Sequence, residues 1–186
     1  MRYSQDHKAQ TYQRIVKEAS ARFRRDGIGA TGLQPLMKAL GLTHGGFYAH
    51  FKSKDDLVET ALRDASEESA NRAVETFAKP DALNSFIDMY LSQAHRENPD
   101  RGCPLPTMAA ELGQRGTPSA TADEAVQRHL TRLAAALGGD DADARSVMML
   151  SSLVGALLLS RSVQDPALSD RILNTVREAL KHEAQA

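Results

Sequence analysis

The residues with the most chemical character lie close together. Between Gly41 and Leu57 the chain reads GLTHGGFYAHFKSKDDL. Thr43, Tyr48, His44 and His50 bring hydroxyls and imidazoles, Lys52 and Lys54 bring ammonium groups, and Gly45 and Gly46 bring no side chain at all. No His/Cys/Asp/Glu spacing here or elsewhere resembles a metal site. The set suits contact with a polyanion instead. Each glycine costs a helix roughly 1 kcal/mol against alanine. That loss is offset where a bare backbone must approach phosphates or base edges, and a helix N-terminus favours an anion. Thr43 is then the N-cap, with His44, Gly45 and Gly46 as the first turn. Phe47 and Phe51 pack the short helix on its neighbours, and Tyr48 and His50 face outward.

A second group lies further on. Cys103 precedes Pro104 at the expected start of a helix, with Arg101 nearby. A helix N-terminus and a cation both lower a thiol pKa, which makes Cys103 a candidate redox sensor. The alternative is a small buried hydrophobe. Phe86, Met89, Tyr90 and Met108 are candidate lining for a small-molecule pocket, with His95 and Glu111 as polar contacts; the same residues also fit an ordinary core. Cys103 and His95 could serve as nucleophile and base in an enzyme. No orienting third residue, phosphate loop or telling carboxylate pair accompanies them, so no catalytic residue, cofactor or metal is expected. His7, His129 and His182 are isolated, and His129 reads as solvated or capping.

The elements that must position these groups are all helical. No sustained period-2 run suggests a strand. Ile15, Ala19 and Phe23 are spaced by four, with Tyr12 and Val16 beside them, giving an amphipathic helix that ends at Asp26-Gly27. A second helix starts at Thr31 or Gly32, has Pro35 in its first turn, buries Leu33, Leu36, Met37 and Leu40, and stops at Gly41. Ser53 caps a long helix that carries Asp55 and Asp56 in its first turn and runs towards Phe77. Five more helices are expected, approximately over 81–95, 104–113, 119–137, 140–162 and 168–182. The fold class is all-α with about nine helices. A DNA-binding helix-turn-helix domain is expected over 1–53 (motif 33–52), followed by an all-helical body over 54–186.

The chain of 186 residues carries 23 Lys/Arg and 24 Asp/Glu, a net charge of −1. The charge is unevenly placed. Residues 1–60 hold ten Lys/Arg against six Asp/Glu, a net of +4, and the remainder holds thirteen against eighteen, −5. A basic end on an acidic body fits a protein that touches a polyanion with one end only. One cysteine excludes an internal disulfide framework. The apolar run Met148–Ser160 is too short to span a bilayer, and the polar N-terminus has no signal-peptide core, so a cytoplasmic protein is expected. Ser151, Ser152, Gly155 and Ala156 on this run permit close helix approach. With Ile172, Leu173, Val176 and Leu180 of the last helix they make a candidate homodimer interface.

From about His7 to Leu62 the sequence resembles the TetR-type one-component transcriptional regulators. The resemblance is carried by Phe23…Gly27, Ala30-Thr31, Gly41-Leu42-Thr43, Gly45, Phe47-Tyr48, His50-Phe51-Lys52-Ser53-Lys54 and Leu57. It implies a three-helix DNA-binding domain joined to a ligand-binding body, a homodimer on a palindromic double-stranded operator, and repression released by a small-molecule or thiol-reactive effector. Gly32 stands where the family has a Ser or Thr cap on phosphate, and Gly46 where it often has a small polar residue. These departures move readout to His44, Gln34 and Thr43, with Thr31, Tyr48, Lys52 and Lys54 on phosphates. The competing readings are a constitutive DNA-binding factor without an effector, and a Cys-dependent enzyme.

Overall fold

The computed structural model describes residues 3–185, and within them every regular element is helical. There are nine α-helices: α1 (Tyr3–Asp26), α2 (Leu33–Ala39), α3 (Lys54–Phe77), α4 (Ala82–Tyr90), α5 (Gln93–Glu97), α6 (Ala110–Gln114), α7 (Ala120–Leu137), α8 (Ala142–Ser162) and α9 (Pro166–Glu183). A 3₁₀ helix, His44–Ala49, lies between α2 and α3, and one turn of π-helix, Leu105–Ala109, leads into α6.

The head forms as the spacing requires. Ile15, Ala19 and Phe23 are fully buried, with Phe47, Phe51, Leu57 and Leu62 closing the same core. Burying a side chain of this size stabilises by about 1.5–3 kcal/mol. Gly27 ends α1 with φ +91°, and its N–H donates to the Phe23 carbonyl. After α2 the N–H of Gly41 donates to the Lys38 carbonyl and that of Leu42 to Met37, a Schellman ending that needs the positive φ of Gly41. Ser53 caps α3 by accepting from the Asp56 N–H at 3.1 Å.

The body has its own core of Phe86, Ile87, Tyr90, Leu91, Leu133, Leu153, Leu157 and Leu173. Helix α3 belongs to both cores. Its first turns put Leu57 and Leu62 into the head, and Ala73 and Phe77 pack into the body. Met108 and Leu112 return from the body to the head core.

Several elements differ from the sequence reading. The helix expected over 81–95 breaks at Leu91, and Ser92 restarts it by accepting from the His95 N–H at 3.0 Å. The helix expected over 104–113 is a π turn followed by the short α6. The helix after the Gly41 turn is 3₁₀, not α. Helix α9 begins at Pro166, where proline suits the first turn, and Asp165 accepts from the Ala167 N–H. Helix α8 has the length and apolarity to cross a membrane. Here it packs between α7 and α9 and leaves Val147, Met148, Leu158 and Leu159 exposed, Met148 by 71%. On α9, Leu173 and Leu180 turn into the chain's own core rather than outward.

His129 is also corrected. It is buried on α7 beside the Phe86 ring, not solvated. Burial, with Arg132 and Arg128 nearby, pulls its pKa down to about 4. The unfolded chain therefore binds a proton here that the folded chain refuses, at pH between about 4 and about 6.5. Its contribution is whole above the unfolded value and is lost as pH falls towards about 4, up to about 3 kcal/mol at the limit. Urea unfolding of the protein across this range is expected to show a steeper loss than His129→Leu. Equal slopes for the two proteins would exclude a neutral buried His129.

Candidate nucleic-acid interface and body cavity

The Gly41–Lys54 stretch folds into a short outward-facing helix on an aromatic footing. Phe47 and Phe51 are buried and stacked, with ring centroids 5.5 Å apart. Tyr48 leans edge-on against Phe47 and His44 and is 61% exposed. The Thr43 hydroxyl accepts from the Gly46 N–H at 3.2 Å. Neither Gly45 nor Gly46 has positive φ. A Cβ on Gly45 would meet nothing within 4 Å, and one on Gly46 would make only ordinary contact, 3.4 Å from the Thr43 hydroxyl. Neither the backbone nor the packing of this chain calls for these two glycines. A partner approaching from outside is what bare backbone serves.

The remaining expected contacts divide. Gln34, Thr43, His44 and Lys52 are exposed. His50 is half-buried, near Tyr12 and Phe51, and its Nδ1 has no hydrogen-bond partner. Burial first, then Lys8, lowers its pKa. Two residues are occupied elsewhere. Thr31 is buried and its hydroxyl donates to the Gly27 carbonyl at 2.7 Å. The Lys54 ammonium donates to the Ile28 carbonyl, and burial lowers its pKa. Both stabilise the turn between α1 and α2, so neither side chain is offered to phosphate.

That turn is also held from the body. The two carboxylate oxygens of Glu111 on α6 accept from the backbone N–H groups of Ile28 and Gly29. A Cβ on Gly29 would lie 2.8 Å from a Glu111 oxygen, so glycine makes room for the carboxylate. A second tie starts at Arg24. Its side chain is 4% exposed and donates to the carbonyls of Ser20 and Gly102 and to the Glu68 carboxylate. The head thus grips the 98–111 segment at both ends, through Gly102 and through Glu111. Sequence reading assigned Glu111 to a pocket and missed Arg24. Both act through partners some eighty residues away, and only Gly29, a glycine with no helix to end, hinted at a close approach.

Gly102 adjoins a cavity of about 220 Å³ between α3, α4 and the 98–103 loop. Phe86, Met89, Tyr90 and His95 line it, with Cys103, as do Ser69, Arg72 and Arg101. Met108 and Glu111 do not: Met108 fills the head core and Glu111 faces the α1–α2 turn. His95 is a clamp in the wall. Its Nδ1 donates to the Tyr90 carbonyl at 2.7 Å and its Nε2 accepts from the Cys103 N–H at 3.0 Å. Both nitrogens are spent, and burial lowers its pKa to about 4. Only glycine fits at 102, where a Cβ would stand 2.6 Å from that Nε2.

Cys103 is 4% exposed, and burial raises its thiol pKa above the usual range despite the polar groups of Tyr90, Leu105 and Ser69 beside it. The activated thiol expected at a helix start is therefore absent. The Leu105 N–H at the start of the following π turn lies near the sulfur, and burial outweighs it. His95, with no free nitrogen, cannot act on it as a base. Among the described residues no cluster of His, Cys, Asp and Glu is set to hold a metal.

Comparison with known proteins agrees with this geometry. The family described as bacterial regulatory proteins, tetR family, matches residues 15–61, and the tetracyclin repressor-like C-terminal domain matches residues 85–185, more than half the chain. An uncharacterised HTH-type transcriptional regulator of Mycobacterium tuberculosis is 26% identical, covering 92% of this chain and 94% of its own. The HTH-type transcriptional regulator AcrR of Shigella flexneri is 42% identical over 48 residues, covering 26% of this chain and 22% of its own. Among solved structures, a TetR-family regulator from Cytophaga hutchinsonii superposes with a TM-score of 0.76 at 20% identity, covering 95% and 96% of the two chains. The reduced form of Escherichia coli NemR superposes with a TM-score of 0.77 at 18% identity, covering 93% and 96%.

The Glu111 bridge sets a measurable expectation. Glu111→Ala leaves two backbone donors of the α1–α2 turn without their charged acceptor, and charge-assisted bonds are the stronger kind. The variant is expected to lose about 1–3 kcal/mol in urea unfolding at neutral pH. An unchanged midpoint and slope would show that the bridge contributes nothing.

Proposed function

This chain belongs to the tetR family of bacterial regulatory proteins and is a DNA-binding transcriptional regulator, and we propose that it is a repressor released from its operator when a small molecule enters the body cavity. Members of the family bind operator DNA and function as dimers. The division of labour proposed is DNA binding by 1–53 and ligand binding and dimerisation by 54–186, with α3 shared.

Each head sets its 3₁₀ helix in a major groove. His44, Thr43 and Gln34 read base edges, and Gly45 and Gly46 let the backbone come close. Tyr48 and Lys52 position the head on phosphates, with His50 beside them. The observation that carries the release mechanism is the double use of one segment. Gly102 and Cys103 wall the cavity, and Glu111, eight residues after Cys103, holds the turn that precedes α2. A ligand that displaces the 98–103 loop strains both ties to the head. Such couplings are typically about 1–3 kcal/mol. The buried, raised thiol of Cys103 favours a non-covalent small molecule over a thiol-reactive effector, and a cavity in the body favours an effector-responsive regulator over a constitutive factor.

The dimer forms on α8, where Val147, Met148, Leu158 and Leu159 are exposed on one stripe with Ser151 and Gly155 between them. Helix α9 joins it with its polar outer face and with the half-buried Ile172 and Val176.

Footprinting on the DNA upstream of the protein's own gene tests the head. Tyr48→Phe is expected to weaken all sequences alike, by about 0.5–1.5 kcal/mol, and Lys52→Ala to lower the salt slope by about one per contact. His44→Ala is expected to change base preference. A sequence-independent effect of His44→Ala would remove it from base readout.

Sedimentation tests the dimer. Leu159→Lys is expected to give monomers with an intact circular dichroism spectrum. A variant that stays dimeric would move the interface off this stripe.

A further inference from the structure

The cavity wall has an unusual polar balance. Tyr90 is 2% exposed, and its hydroxyl has no hydrogen-bond partner. A buried phenol left unpaired costs free energy, so buried tyrosine hydroxyls are ordinarily bonded. Its polar neighbour is the Cys103 thiol, a weak acceptor. Burial first, then Cys103, raises the phenol's pKa well above the usual range, so the group stays a donor.

The rest of the wall carries no carboxylate, and Asn98 is engaged through its amide nitrogen, which donates to the Ala94 carbonyl. Ser92 donates its hydroxyl to the Met89 carbonyl, and both His95 nitrogens are taken. Arg72 stands among the lining residues, with one nitrogen donating to the Arg101 carbonyl. Arg161 is close enough to act on both Tyr90 and Cys103. No Asp or Glu lines the cavity, and none acts on Tyr90, His95 or Cys103. Tyr90 and Arg72, with Arg161 close by, therefore place a buried donor in a positive field that Glu68 and Glu75 temper only at Arg72, from outside the cavity. The other walls, Phe86, Met89 and the Tyr90 ring, are apolar.

Size narrows the occupant further. A cavity of roughly 150 Å³ holds benzene. At about 220 Å³ this one has room for one ring and a small head group.

We infer that the cavity is a site for a compact monocarboxylate with a single-ring or similarly small apolar body, whose carboxylate accepts from the Tyr90 hydroxyl while the Met89–Phe86 wall takes the hydrocarbon. This names the ligand class for the effector cavity and rests on that reading. The carboxylate supplies the acceptor that Tyr90 lacks and answers the arginine field.

Benzoate is the probe, titrated calorimetrically into the full-length protein without DNA, with benzamide as the uncharged isostere. Benzoate is expected to bind about ten-fold or more tightly than benzamide, and Tyr90→Phe to weaken benzoate by about ten-fold or more, as for a bond to a charged acceptor. Tyr90→Phe removes one oxygen and no volume from the ring. In the absence of ligand the variant is expected to melt about 2–4 °C above the wild-type protein, because the unpaired hydroxyl is gone. No benzoate binding, equal binding of benzamide, or equal binding by folded Tyr90→Phe would each overturn the inference. Operator release is read separately. If benzoate binds through Tyr90 and the footprint persists, the ligand class stands and the release mechanism falls.

Discussion

The carboxylate of Glu111 ties the α1–α2 turn of the head to the body. Ile28 and Gly29 sit between helices, and neither N–H has a carbonyl of its own helix to bond. The N–H of buried Ile28 needs an acceptor within the protein, and the exposed Gly29 N–H shares it. This chain takes that acceptor from the far lobe. The head's geometry is therefore conditional on where α6 stands. Lys54 completes the arrangement by donating to the Ile28 carbonyl, so the same peptide is gripped on both its faces.

The placement of α6 rests in turn on the π turn before it. A π turn adds a residue to the helical circuit and is less favourable than α-helix, which is why such turns occur as single interruptions near functional positions. Leu105–Ala109 stands between the cavity wall at Cys103 and the carboxylate at Glu111. Arg24 ties the other end of the loop to α1 through the Gly102 carbonyl. A packed segment of this kind has discrete arrangements, not a continuum. The head thus meets the cavity wall and the segment after it through two polar ties, at Gly102 and at Glu111.

Much of this fold was legible in the sequence, because caps and period-four stripes are local. Ile15-Ala19-Phe23, Gly27, Gly41 and Ser53 each announce themselves within one helical turn. The breaks at Leu91 and at Leu105 do not. Ser92 reads equally well as a mid-helix serine until its hydroxyl is seen on the His95 N–H, and the apolar spacing of 81–95 continues through the break. The cavity was half legible for a related reason. Phe86, Met89 and Tyr90 share one side of a continuous helical pattern and line one space, and His95 joins them only because the helix breaks at Leu91. Met108 and Glu111 belong to a segment that serves the other core, and periodicity cannot say which of two cores an apolar residue enters. His129 was misread because a single histidine on an otherwise ordinary helix carries no sign of burial. Thr31 and Lys54 match a family pattern by type and spacing, yet their hydrogen bonds run inward, which only the third dimension reveals.

The glycine pair shows why absence of a structural role is informative. Gly27 and Gly41 have φ values that other residues resist, Gly29 yields space to Glu111, and Gly102 yields space to His95. For each of these the chain itself supplies the reason. Gly45 has an ordinary backbone and open space beyond it, so an alanine there would strengthen the helix and disturb nothing within the protein. A residue that weakens its own element with no internal return is explained by what comes from outside. Beside Thr43 and His44, on the basic end of the chain, the DNA groove is the visitor proposed. The same reasoning applies at Tyr90, where an unpaired hydroxyl inside the body marks the second surface that the fold leaves incomplete.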